Sequence, residues 1–205
     1  MIMNKQFISR LATDVEARYG RDISVQMFGD INEMQYDYAS LSAWFNNFIT
    51  SMDKLGDKEF LVELLSNQCP CRYVEAEEDI KRIYTESKTL EDFVARLDEN
   101  GIFQDSVELR GNVLYATKLP WSESRKILGL SGHNHSGCYA DSCHCFLASH
   151  ASKQISDIFC HCCTVGYYQK MFKNALGVDV KIEFIDSVIT GGKGCTAAIH
   201  LPPKN

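Results

Sequence analysis

The chain has 205 residues, 45% of them apolar, which is enough to bury a core as one domain or as two small, closely packed ones. Its net charge of −6 argues against a general nucleic-acid binder, since residues 1–105 carry 20 acidic and 11 basic side chains. No apolar run approaches the ~20 residues of a membrane span, so we expect a cytoplasmic protein without a membrane partner.

Residues 1–105 are predicted to form a helical region. Apolar residues recur there at intervals of three and four, which is the spacing of amphipathic helices. The predicted helices cover residues 4–19, 41–52, 60–65, 77–84 and 89–101. Thr89, followed three residues later by Asp92, is typical of a helix start, and Gly20 is typical of a helix end. Exposed aromatic side chains on these helices could form the face of a homodimer.

Residues 106–205 are predicted to form the α+β part of the chain. Alternating apolar residues indicate strands at 107–110 and 113–117, joined by a turn at Gly111 and Asn112. A Cys/His-rich loop at 133–163 follows. Further along, the predicted elements are a helix at 165–176, a strand at 178–185, a turn at 191–194 and a last strand at 195–201. The sequence therefore predicts an α+β fold whose helical half packs on a small C-terminal antiparallel sheet, with the Cys/His-rich loop at their junction.

The segment 133–163 holds five of the six histidines and six of the nine cysteines. An odd number of cysteines cannot pair completely within one chain, and a cytoplasmic setting favours thiols over disulfides. Structural zinc takes four thiolate or imidazole ligands, usually as two close pairs. We therefore predict a zinc site on two Cys-x-Cys pairs, with these ligands: Cys143, Cys145, Cys160 and Cys162.

Other chemistries remain open for the same segment. His133, His135 and Cys138 resemble an open catalytic metal triplet. A nucleophilic thiol is a second alternative, because Cys162 and Cys163 precede a predicted helix with His161 adjacent.

A redox switch is a third alternative, through Cys162 and Cys163 or through Cys69 and Cys71. Cys195 alternates in register with Ala197, and its side chain is predicted to face the core, whereas His200 lies on the opposite face.

The C-terminal part resembles a known family over residues 152–202. The pattern Cys162-x-x-x-Gly166-Tyr167, then a helix and a strand, then Gly191-x-x-x-Cys195 before a final strand is similar to the 4-vinyl-reductase-type domain, a predicted hydrocarbon- or small-molecule-binding domain. The chain is also similar to bacterial proteins that pair two Cys-x-Cys elements with this tail, and to aminothiazoline-carboxylate hydrolase-like proteins.

This resemblance implies an antiparallel sheet packed on helices around a ligand pocket, with zinc on cysteine thiolates in some members. Cys162 and Cys195 are then the motif cysteines, and Gly166, Tyr167 and Gly191 maintain turns and helix packing. The sequence departs from the family where a cysteine is often found, at Ser187, and where an aromatic residue is expected, at Ala197.

Together these observations favour a small-molecule-binding or sensing protein with a zinc site that fixes the pocket wall. The alternative is a hydrolase of a cyclic amide-type substrate that uses a metal-bound water or a cysteine nucleophile.

Overall fold

The computed structural model describes residues 5–29, 37–68, 74–102, 106–127, 142–151 and 155–204. Within them the chain has an α+β fold, with helices in the first half and a four-stranded antiparallel sheet in the second. The predicted fold class is confirmed. No helix in these ranges has the length and apolar character needed to cross a membrane.

The described part of the first half is helical, as predicted. Its helices are α1 (Lys5–Tyr19), α2 (Arg21–Phe28), α3 (Tyr38–Asp53), α4 (Lys58–Asn67), α5 (Val74–Glu86) and α6 (Leu90–Glu99). The hydroxyl of Thr89 accepts a hydrogen bond from the Asp92 amide at 3.1 Å, so the predicted start of α6 is confirmed. Helix α2 was not predicted, because it buries few side chains and therefore leaves a weak apolar pattern.

The second half contains both strands and helices. Its elements are β1 (Ser106–Arg110), β2 (Val113–Lys118), α7 (Trp121–Ile127), α8 (Phe146–Ser149), α9 (Gly166–Leu176), β3 (Lys181–Asp186) and β4 (Cys195–His200). A single turn of π-helix, His161–Val165, leads into α9. The predicted hairpin turn is confirmed, and Gly111 has the positive φ of 63° that such turns favour. Helix α7 was not predicted.

The four strands lie in the order β1-β2-β4-β3, and every neighbouring pair is antiparallel. The two central strands, β2 and β4, are joined across their ladder by the hydroxyls of Thr117 and Thr196 at 2.9 Å. Lys118 at the end of β2 is opposite Cys195 at the start of β4. This end of the sheet points towards the cysteine-rich segment.

Two apolar cores stabilise the fold. The sheet core consists of side chains from α5, α6 and α9 packed on β2 and β4, among them Phe93, Phe172 and Ile199. The junction core consists of side chains from α1, α3 and α4 packed on residues 143–162, and it includes three buried cysteines. Tyr167 contacts both cores. The described part of the cysteine-rich segment therefore lies between the helical half and the sheet, as predicted.

Candidate functional site

Five cysteine side chains line a single cavity at the junction. They come from three separate parts of the chain: the segment before α8, the segment leading into α9, and the start of β4. The five are Cys143, Cys145, Cys160, Cys163 and Cys195. All five are free thiols. Lys118 and His144 also line the cavity, and apolar side chains such as Phe159 and Ile189 complete its wall.

Contacts with α7 and with the residues just before it hold the first Cys-x-Cys pair, Cys143 and Cys145, in place. The backbone amide of Trp121 donates to the carbonyl of Ser142 at 3.1 Å. His144, between the two cysteines, places Nε2 2.7 Å from the carbonyl oxygen of Leu119. Cys145 then precedes the first residue of α8 with an extended backbone. These contacts anchor a short segment that has almost no regular structure of its own.

Of the second predicted pair, Cys160 and Cys162, only Cys160 lines the cavity. Cys160 has helical backbone angles and is followed directly by the π-turn, so residues three apart fall near the same side of the chain. Cys163 therefore shares the cavity with Cys160, whereas Cys162 is buried in the junction core and does not line the cavity. The spacing Cys160-x-x-Cys163, with two intervening residues, is also one that zinc ligands commonly have, and it is visible in the sequence.

Cys195 and Lys118 complete the cavity from the sheet side. Cys195 is buried at the start of β4, as predicted from its alternation with Ala197. The preceding residue must be glycine, because a Cβ atom on Gly194 would lie 2.6 Å from the carbonyl oxygen of Lys118. The ammonium of Lys118 lies 3.7 Å from the centre of the Tyr167 ring, which fixes the charge next to the thiols.

Cys163 is the most acidic of the five thiols. A hydrogen bond from the thiol of Cys145 is the main reason that the pKa of Cys163 falls to about 6, and the positive charge of Lys118 lowers the pKa further against the opposing effect of burial. The same hydrogen bond raises the pKa of Cys145 well above its usual value. At neutral pH the pair is therefore a thiolate that accepts a hydrogen bond from a thiol.

The other three thiols are stabilised in their neutral form. Burial raises the pKa of Cys160 to about 12, although a hydrogen bond with the Ser187 side chain opposes the shift. Burial also raises the pKa values of Cys143 and Cys195. Each of these three thiols is close enough to Cys163 to be affected by its charge. Cys163 is therefore close to each of the other four thiols of the cavity.

The size of the cavity limits what it can hold. Its enclosed volume is about 10 Å³, close to the minimum that one water molecule needs. A single ion would fit the space, but an organic ligand would not. Among the described residues, no group of three or more His, Cys, Asp or Glu side chains is already arranged to hold a metal ion. Metal binding at this cavity would therefore require the thiol side chains to rotate towards the ion.

Several predicted site residues lie elsewhere. His161 lines a separate cleft on the other side of the π-turn and is not next to the Cys163 sulfur. His200 lies on the outer face of β4, 3.4 Å from a carboxylate oxygen of Glu183. The other predicted candidates fall outside the described residues: Cys69, Cys71, His133, His135 and Cys138.

The residues of the family-like motif occupy structural positions around the cavity. Gly166 is buried at the first position of α9, and Tyr167 lies beneath the Lys118 ammonium. Gly191 has a φ of 93° in the turn before β4. The sequence reasoning did not identify Lys118, which is far from the cysteines in the chain and reaches them only through the pairing of β2 with β4.

Comparisons with known proteins add a family match over part of the chain, and no activity. Residues 123–204 match a model described as a family of unknown function (DUF6144). The matched span includes all five cavity cysteines and excludes the helices of the first half. Neither the search of curated proteins nor the search of solved structures found a match.

Proposed function

We propose that this protein is a small-molecule-binding or sensing module whose thiol cluster holds a zinc ion. The observation that carries the proposal is the convergence of five thiols, from three parts of the chain, on one cavity of ionic size. Thiolates are the ligands that zinc and other soft cations prefer. The preferred ligands are Cys143, Cys145, Cys160 and Cys163, so Cys163 replaces Cys162 in the predicted set.

The donor chemistry supports this assignment. Apart from the thiols, His144, Lys118 and Thr164, the described cavity wall is apolar. A hard cation that requires oxygen ligands would find one side-chain oxygen in this lining, the hydroxyl of Thr164. The hydrogen bonds that these thiols make gain little free energy, because sulfur is a weak hydrogen-bonding group. A soft cation would replace them with stronger metal–thiolate bonds.

The proposed role of the ion is to fix the junction. Its ligands would join the segment before α8 to the turn that precedes α9, and these segments pack on different helices of the first half. Binding free energy at such a site adds to the free energy of folding. In this proposal zinc stabilises the wall of a ligand site, and the protein is cytoplasmic.

The Cys145–Cys163 pair favours a second candidate function. A thiolate that accepts a hydrogen bond from a neighbouring thiol is the arrangement expected of a nucleophilic cysteine, and Cys163 also lies beside Lys118. In a hydrolase of a cyclic amide, the Cys163 sulfur would attack the carbonyl carbon, the C–N bond would break, and water would then release the acyl group. The small volume of the cavity disfavours this candidate, because the substrate would have to open it.

Metal analysis of two neighbouring variants tests the zinc proposal. Protein purified without tag or chelator is analysed by elemental mass spectrometry as wild type, Cys163→Ser and Cys162→Ser. Cys162 is the matched control, because it is adjacent in sequence and buried but does not line the cavity. We expect about one zinc per chain in the wild type and in Cys162→Ser, and a loss of most of the zinc in Cys163→Ser.

Two results would contradict the proposal. Metal-free wild-type protein, even after refolding with added zinc, would remove the metal site and favour the thiol nucleophile. Loss of zinc in Cys162→Ser with retention in Cys163→Ser would restore the ligand set predicted from the sequence and assign the cavity a different role.

A further inference from the structure

The π-turn that contributes Cys160 and Cys163 to the thiol cavity has a second side, which lines an open cleft. The cleft lies between α4, the π-turn, α9 and β3, and its volume is about 570 Å³. Small-molecule sites commonly have volumes of about 300 to 1,000 Å³. This cleft, unlike the thiol cavity, has room for an organic ligand.

The cleft has an apolar floor with polar atoms that lack partners. Val165 and Ile182 form part of the floor, and the Phe184 ring lies 5.4 Å from the His161 ring, centre to centre. Within the described residues, Nδ1 of His161 and the hydroxyl of Ser66 are buried without a hydrogen-bond partner. An unpaired buried polar group is unfavourable, and both residues line the cleft, so they leave hydrogen-bonding groups next to it that a water or a ligand could satisfy.

The charged side chains that line the cleft favour a ligand with a positive charge. Three carboxylates line it, Glu63, Asp157 and Glu183, against a single ammonium, Lys58. Glu183 already pairs with Lys181 and faces His200, whereas Glu63 and Asp157 have no ion pair with a described residue. The local field therefore favours a positive group near α4 and the start of the π-turn.

We infer that this cleft binds a small organic cation, an amine joined to an apolar and preferably aromatic body. The amine would lie near Glu63 and Asp157, and the apolar body would pack on Phe184, Val165 and Ile182. The side-chain amide of Gln169, which also lines the cleft, supplies both a donor and an acceptor for polar substituents. This inference deepens the small-molecule half of the proposed function and rests on it.

The shared turn links this site to the thiol cluster. His161 is on the cleft side, while its neighbour Cys160 and the nearby Cys163 are on the cavity side. An ion that orders the turn from one side would order the cleft wall on the other. By thermodynamic linkage, zinc and the amine would then raise each other's affinity.

A pair of probe molecules with opposite charge tests the inference. Phenethylamine and 3-phenylpropionate have the same ring and chain length and differ in the sign of the end group. In ¹H–¹⁵N NMR titrations of ¹⁵N-labelled protein, we expect phenethylamine to shift the resonances of His161, Gln169 and Phe184 saturably, with a dissociation constant of about 1 mM. We expect 3-phenylpropionate to leave these resonances unchanged.

Two double variants supply the matched comparison. Glu63→Gln/Asp157→Asn removes two cleft carboxylates, whereas Glu59→Gln/Asp22→Asn removes two exposed carboxylates outside the cleft and changes the net charge equally. Because the interactions are partly exposed to solvent, we expect the cleft variant to weaken phenethylamine binding about fivefold and the control to leave it unchanged. Equal binding of the two probes, shifts that map elsewhere, or equal weakening by both variants would overturn the inference.

Zinc content measured on the same NMR samples separates this inference from the metal proposal. Amine binding in a protein without zinc would leave the cleft standing and overturn the zinc site. Full zinc occupancy without saturable amine binding would leave the zinc site standing and overturn the cleft.

Discussion

The two apolar cores of this protein are built from different side chains. The sheet core is packed from aliphatic and aromatic residues without any cysteine among its described members, whereas the junction core includes Cys143, Cys160 and Cys162. Both cores exclude water equally well at their centres, since Phe172 in one and Phe45 in the other are fully buried. The sheet core therefore reaches the same burial without cysteine.

We expect the two cores to be stabilised in different ways. The sheet core gains its free energy from apolar burial and needs no additional ligand. The junction core has thiols around a small cavity, and in our proposal part of its stability comes from the ion that these thiols bind. We expect changes in the sheet core to act regardless of zinc, and changes in the cavity to act through zinc.

The largest expected effect is in the sheet core. Phe172→Ala removes a fully buried aromatic ring from α9, which should lower the free energy of unfolding by about 3 to 5 kcal/mol. Urea unfolding followed by circular dichroism measures the loss with zinc and with a chelator. If the loss of unfolding free energy differs by more than about 1 kcal/mol between zinc and chelator, the two cores are not independent.

Zinc removal should affect the junction core next. With free zinc at a hundred times its dissociation constant, the bound ion stabilises the folded state by about 2.7 kcal/mol, and a chelator should abolish this contribution. Cys163→Ser should be insensitive to the chelator, whereas Phe172→Ala should keep the full response. Differential scanning calorimetry of the three proteins checks this, and an equal response in all three would contradict the cavity assignment.

The acidity of Cys163 gives a pH dependence in metal-free protein. Because its pKa is about 6, its thiolate fraction, and hence its rate of alkylation by iodoacetamide, should rise about tenfold between pH 5 and pH 7. Cys160 in the same cavity has a pKa of about 12 and should stay unlabelled throughout this range. Peptide mapping by mass spectrometry follows both residues in one sample. Replacing Cys145 with alanine should move the Cys163 midpoint upwards, since alanine removes the thiol that is its main hydrogen-bond donor.

The smallest effect is at the start of α6. Thr89→Ala removes the hydroxyl that accepts the Asp92 amide hydrogen, which should cost about 1 kcal/mol of unfolding free energy, with or without zinc. Thr89→Ser keeps the acceptor and is the control. A lower melting temperature for Thr89→Ala than for Thr89→Ser would support the cap. Identical melting temperatures would show that water replaces the hydroxyl as the acceptor for the Asp92 amide.

The fold could be predicted largely because its helices and strands carry strong local patterns. The apolar spacing of α1 and α3, the hydroxyl at Thr89 and the glycine turns near the last strand all act within a few residues of the chain. Helices α2 and α7 were missed because each is short, and α2 has few buried side chains to create a pattern.

The candidate site was predicted in part for a related reason. Three of the four predicted ligands line the cavity, because cysteine crowding is visible in the sequence. The choice between Cys162 and Cys163 depends on the phase of one turn, and that phase is set by how the π-turn packs between α4 and the sheet. Lys118 and the cleft depend on contacts between segments distant in sequence, which local patterns do not encode.

X-ray absorption spectroscopy at the zinc edge tests the central claim most directly. For zinc-loaded wild-type protein we predict a shell of four sulfur atoms at about 2.3 Å, which falls to three in Cys163→Ser that has been reloaded with zinc and stays at four in Cys162→Ser. A shell made mainly of nitrogen and oxygen atoms, or four sulfur atoms retained in Cys163→Ser, would contradict the assignment of the thiol cluster as the metal site.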